Sequence, residues 1–240
     1  MESRDREIDW GAMLRAHANS LGCALMAGDY PRVLRKIAEG QSASIQDVKW
    51  AIRQCPAEIL SALLDSGVDI NQPINAWNPP PLALTFHDPQ LTRLFLSKNA
   101  DPNAQCRFDM TPLSVAVLEA SLEIIQLLFD HGASCDYGQP LHWATRRSSA
   151  DRLDVAQSLL LRGARINEIE YQSHPTSFQY CDFMALGTPL HGAAERGDAE
   201  MVEFLLNNGA DATIRDTFGE RAIERAARNN HPEVVRLLNN

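Results

Sequence analysis

The residues with the most chemical scope are thiols, imidazoles and carboxylates that sit near one another in the chain. His174, Cys181 and Asp182 share one segment and could in principle make metal ligands or a Cys–His pair. Their spacing matches no standard metal site. A nucleophile also needs an oriented base and an oxyanion pocket. Elsewhere the sequence lacks a Gly-rich phosphate loop, a paired-carboxylate motif, H-E-x-x-H and G-x-S-x-G. No catalytic residue, cofactor or metal is therefore assigned. Cys23, Cys55, Cys106, Cys135 and Cys181 are odd in number, widely spaced and without a C-x-x-C pair. Neither a zinc knuckle nor a thioredoxin-like site is indicated. They read as free thiols packed as small hydrophobes, which suits a reducing compartment, cytoplasmic or nuclear.

Composition narrows the field further. With 45% hydrophobic and 22% charged residues, the 240-residue chain can bury a sizeable core. A formal net charge of −9 repels phosphate backbones, so nucleic acid is not expected as a partner. No apolar run is long enough to cross a bilayer, and Met1–Glu7 is too charged to begin a secretory signal.

The elements that position these residues come from an internal repeat. Residues 187–206 read G-T-P-L-H-G-A-A-E-R-G-D-A-E-M-V-E-F-L-L, while 138–144 read G-Q-P-L-H-W-A and 110–116 read M-T-P-L-S-V-A. Weaker copies stay in phase at 219–227 and 46–51. A second landmark closes each copy at Gly67, Asn99, Gly132, Gly163 and Gly209. Thr188 to Gly209, Thr111 to Gly132 and Gln46 to Gly67 all span 21 residues.

Each signature residue has a physical reason. Thr111 and Thr188 can cap helix N-termini, and Pro112, Pro140 and Pro189 sit where no N–H is needed. Leu113, Leu141 and Leu190 share a face with small alanines that let neighbouring helices approach. Gly132, Gly163 and Gly209 end the second helices, and Asn99 substitutes in its own copy because Asn tolerates the left-handed region.

T-P-L-H-x-A on a period of about 33 residues resembles the ankyrin repeat family, from about residue 19 to the end. The resemblance implies an all-α solenoid of stacked helix-turn-helix units with projecting finger loops. One helix pair cannot cover its own apolar stripe, so stability rests on inter-repeat interfaces. Residues 1–18 read as a tail or extra helix, and 19–45 as a degenerate capping repeat without a finger. Six repeats follow at 46–79, 80–110, 111–138, 139–187, 188–220 and 221–240. The 80–110 copy lacks two residues in the turn between its helices, and the last helix reads as a cap with Glu224, Arg225, Arg228, Asn229 and Asn230 facing solvent. His142 and His191 hold a position that is structural in this family, bridging backbone groups of adjacent repeats.

Departures from the repeat are where partner-binding residues are sought. Gly163 to Thr188 spans 25 residues, against 12 from Asn99 to Thr111. The insertion, 168–184, carries Tyr171, Phe178, Tyr180 and Phe183. Long loops are usually functional or disordered, and disordered segments are poor in aromatics. The insertion therefore either contacts a partner or folds back on its own repeats. Trp77 lies in a finger, where it either anchors a partner or shields the underlying repeat; Phe108 and Phe218, at equivalent finger ends, are expected to pack inward. Trp50 and Trp143 share one repeat position with Gly192 and are expected to pack on neighbouring first helices. By the family's geometry Arg53, Arg146, Arg147, Arg196 and Arg228 line the concave side. They would hold an acidic peptide or pair with neighbouring carboxylates.

The function this implies is a non-catalytic scaffold or adaptor, monomeric alone, that binds another protein through groove and fingers. The alternatives are a regulatory or inhibitory subunit, and an enzyme with a site in residues 171–184.

Overall fold

Side chains that accept hydrogen bonds from orphan backbone N–H groups mark many of the helix starts among the described residues. In the computed structural model, which describes residues 20–239, fourteen α-helices and one 3-10 turn occur among the described residues, and no strand. Residues 1–18, read above as a tail or extra helix, lie outside them. The chain divides into two compact units, one up to Ile70 and one from Asn71.

The first unit holds α1 (Leu21–Met26), α2 (Tyr30–Ala38), α3 (Ile45–Gln54) and α4 (Ala57–Asp65). The Ser20 hydroxyl accepts from the Cys23 N–H at 3.2 Å. The Asp29 carboxylate accepts from Arg32 N–H at 3.1 Å, and Ser44 with Asp47 forms a reciprocal capping box. Leu21, Leu25, Val33, Val48, Leu60 and Leu63 close the core between the two helix pairs, at roughly 1.5–3 kcal/mol per buried aliphatic side chain. A short link replaces a finger here. The Ser42 hydroxyl donates to the Ser66 carbonyl at 2.7 Å, and Ala43 N–H donates to the Ser66 hydroxyl at 2.8 Å.

The second unit begins with a 3-10 turn (Pro81–Leu84) and α5 (Pro89–Ser97). It continues with α6 (Pro112–Glu119), α7 (Leu122–Asp130), α8 (Pro140–Arg146), α9 (Arg152–Leu161), α10 (Pro175–Tyr180), α11 (Pro189–Arg196), α12 (Ala199–Asn207), α13 (Ala222–Arg228) and α14 (Pro232–Leu238). First helices form one row, with the 3-10 turn against α6, α6 against α8, α8 against α11, and α11 against α13. Ala116, Ala144, Ala193, Ala194 and Ala226 are fully buried in that row, where any larger side chain would push the helices apart.

The two residues missing from the 80–110 copy shorten its first helix to the 3-10 turn. Thr85 then ends that turn, its hydroxyl donating to the Leu82 carbonyl at 2.7 Å. Asp88 starts α5 immediately by accepting from Gln90 N–H at 2.8 Å. Second helices close in left-handed backbone, φ 64° at Asn99 and 92° at Gly209. Asparagines staple successive fingers. Asn103 donates to the Gly132 carbonyl and accepts from Ser134 N–H, both at 2.8 Å. Asn71 and Asn167 bridge Asn99 with Asp101, and Gly209 with Asp211, in the same way. Each stands four residues beyond Gly67, Asn99 or Gly163, a periodic signal in the sequence itself.

Candidate protein-binding site

The signature positions form a relay between adjacent first helices. His191 Nδ1 accepts from Thr188 N–H at 3.1 Å, which places the proton on Nε2, and Nε2–H donates to the Glu220 carbonyl at 3.1 Å. Ser114 does the same with one hydroxyl, accepting from Thr111 N–H at 3.1 Å and donating to the Gly138 carbonyl at 2.6 Å. His142 Nε2 meets the Gly187 carbonyl at 3.2 Å. Burial lowers the pKa of both imidazoles, so both serve as neutral structural links.

The Gly187 carbonyl also accepts from Glu170 N–H at 3.0 Å. That bond brings the two ends of the insertion together, making it an Ω-loop. Within the loop, His174 Nδ1 caps α10 by accepting from Ser177 N–H at 3.2 Å. Ser177 is fully buried, Tyr171 adopts φ 61°, and burial raises the Tyr171 phenol pKa. Tyr171 and Phe178 are half-buried. At the exit, Leu186 N–H donates to the Thr217 hydroxyl at 3.0 Å, and Thr217 N–H donates to the Leu186 carbonyl at 2.9 Å.

The end of α10 meets two remote fingers. Trp77 and Phe108 stack with ring centroids 3.9 Å apart, Tyr180 lies edge-on to Trp77 at 5.5 Å, and Tyr180 is 4.7 Å from Phe108. The insertion thus folds back on its own repeats and still leaves apolar surface in solvent. Trp77 is 53% exposed, Tyr180 52% and Phe183 70%. Phe218, expected to pack inward, is 58% exposed instead, because its neighbour Thr217 is drawn onto the loop exit.

Of the five arginines expected on the concave side, Arg146, Arg147 and Arg228 pair with carboxylates, the second of the two readings drawn from the sequence. Arg147 is 5% exposed. It donates to the Val117 and Ala120 carbonyls at 3.0 and 2.8 Å and forks onto Asp151 with two 2.7 Å bonds. It closes the C-terminal end of α6 and faces no groove. Arg225, expected in solvent, is 4% exposed; it pairs with Asp216 at 2.7 Å and Glu195 at 3.0 Å and donates to the Ala185 carbonyl. Arg228 pairs with Glu220 at 2.7 Å. Arg53 is exposed at the end of α3, within the first unit. Arg146 lies 4.8 Å over the half-buried Trp143 ring and pairs with Glu170 at 2.7 Å. Arg196 is exposed.

Arg146, Arg196 and Arg225, with Glu170, Glu195 and Gly192, line a cavity of about 350 Å³ walled on one side by 184–188 of the loop exit. No group of three or more His, Cys, Asp or Glu suited to a metal occurs among the described residues. His174 is spent on a helix cap, the Cys181 thiol is pushed up mainly by burial, and all five thiols are free. No described helix is long and apolar enough to cross a membrane.

A family model for ankyrin repeats matches residues 82–170 and 176–240, and the chain belongs to that family. Among similar proteins, E3 ubiquitin-protein ligase XBAT33 of Arabidopsis thaliana is 43% identical over 65 residues, 27% of this chain and 13% of that protein. Ankyrin repeat and SOCS box protein 11 of Homo sapiens is 26% identical over 133 residues, 53% of this chain and 36% of that protein. The mitochondrial disaggregase of Bos taurus is 28% identical over 149 residues, 62% of this chain and 20% of that protein. The chain thus spans well under half the length of these relatives. Ankyrin repeats bind other proteins, which fixes the broad activity of the module.

Proposed function

We propose that the chain is a non-catalytic adaptor that docks a partner protein on the finger side of its second unit. The observation that supports this best is the cluster of Trp77, Phe108 and Tyr180, drawn from three separate segments yet half open to water. Aromatics in a rigid setting with exposed faces are the usual anchors of protein interfaces. Phe183 and Met184, a few residues past Tyr180, and Phe218, beside the Thr217 that bonds the loop exit, are also exposed. Relatives named as a ubiquitin ligase and a SOCS box protein share the repeat module with this chain, which favours an adaptor. Free thiols fit a cytoplasmic or nuclear setting.

The test replaces Phe183 by a photo-crosslinking amino acid, identifies the protein captured, and repeats binding with purified components. Trp77→Ala with Tyr180→Ala is expected to weaken the purified complex about 30-fold or more, the range of a hot spot. An unchanged affinity would exclude the cluster as the docking site.

A further inference from the structure

The cavity beside the loop exit is a gap in the row of first helices. Gly192 occupies the repeat position held by Trp50 and Trp143 in other copies, so no side chain fills the space in front of α11. A Cβ built at Gly192 would meet only the Thr145 hydroxyl, at 3.1 Å.

The charges around this gap are unevenly committed. Glu170 is held by Arg146, and its side chain is only 10% exposed. Glu195 is held by Arg225, whose guanidinium is further satisfied by the buried Asp216 and by the Ala185 carbonyl. Both lining carboxylates are therefore already paired. Arg196 is exposed and pairs with neither lining carboxylate; its charge acts on Asp198, which Arg152 already holds, and Arg146, 32% exposed, keeps N–H donors beyond the one given to Glu170. What remains uncommitted is a surplus of guanidinium donors facing a side-chain-sized hole. An anionic group complements that surplus. Glu170 and Glu195 line the same cavity and add negative charge that disfavours a dianionic phosphate, so a singly charged carboxylate fits best.

We propose that this cavity receives a glutamate or aspartate side chain from an extended segment of the partner, with Arg196 and Arg146 as its donors. The proposal rests on reading the chain as a protein-binding module and adds the chemistry of one contact. The chain's net charge of −9 gives no long-range attraction to such a segment, so recognition is local, at the cavity itself.

The probe is fluorescein-labelled acetyl-hexaglutamate, titrated with the full chain and followed by anisotropy, with labelled hexalysine in parallel. Saturable hexaglutamate binding is expected, lost by about tenfold or more in Arg196→Gln, as for removal of a charged hydrogen-bonding partner. Gly192→Trp, which fills the cavity with the residue other repeats carry, is expected to abolish it. Arg93→Ala, at an exposed ion pair with Glu123, is expected to leave it unchanged. If Gly192→Trp fails to fold by circular dichroism, Arg196→Gln alone decides, since it alters an exposed side chain. Absence of hexaglutamate binding, equal binding by Arg196→Gln, or equal binding of hexalysine would overturn the proposal. None of these results touches crosslinking at Phe183, so the finger site stands or falls separately.

Discussion

Arg147→Ala separates a structural arginine from a groove arginine. The guanidinium is enclosed, with its side chain 3% exposed. It satisfies two carbonyls at the end of α6 and both oxygens of Asp151. A charged hydrogen bond contributes about 1.5–3 kcal/mol net, and removing one member of a buried pair costs about 3–5 kcal/mol because the partner is left uncompensated. Arg147→Ala is therefore expected to lower unfolding free energy by about 3–5 kcal/mol in urea titrations followed by circular dichroism. Asp151→Ala leaves that enclosed guanidinium without its counter-charge and should cost a similar amount, about 3–5 kcal/mol. The double variant should fall short of the sum by at least about 1 kcal/mol. The same pair sets an acid window. Hydrogen bonding to Arg147 lowers the Asp151 pKa from 3.8 to about 2. With the folded value below the unfolded one, the contribution is complete above about pH 4 and disappears as pH falls through 2. In Arg147→Ala that window should vanish. A loss below about 1 kcal/mol, as for a surface ion pair, would refute the assignment.

Other expectations follow from the same geometry. Burial lowers the pKa of His142 and His191 from 6.5, so protonation favours the unfolded chain and stability should decline as pH drops below about 6.5. Urea midpoints measured between about pH 7 and pH 5 should show this slope, and His142→Ala with His191→Ala should flatten it at lower stability. Gly209 sits at φ 92° with open space around a would-be Cβ, so Gly209→Ala should cost about 1–2 kcal/mol from backbone strain alone, checked by the same titration. Tyr180→Ala should lose about 0.5–1.5 kcal/mol of ring contact and speed proteolysis within residues 172–184. Unchanged cleavage would mean that the aromatic cluster does not hold the loop.

What was legible in the sequence was local. Thr188-Pro189, the buried alanines and Asn99 announce helix starts, close packing and a left-handed stop because their reasons lie within one or two turns of chain. The insertion stood out by its length, and its aromatics marked it as ordered. Its fold did not, because Tyr180 meets Trp77 and Phe108 only after the repeats have stacked. By sequence alone Arg147 belongs to the concave side and Arg225 to solvent, where arginine at a helix end usually lies. Their burial depends on carbonyls at Val117, Ala120 and Ala185 that no local pattern reveals. The cavity was hidden for a similar reason: Gly192 reads as a tolerated small residue until its equivalence to Trp143 meets a loop exit that walls the gap.

The most direct measurement is hydrogen–deuterium exchange on the chain alone and with the partner recovered through Phe183. Docking on the fingers predicts slowed exchange at residues 72–79, 105–109 and 176–187. Protection confined to the second helices α7, α9 and α12, with those three segments exchanging as in the free chain, would contradict it.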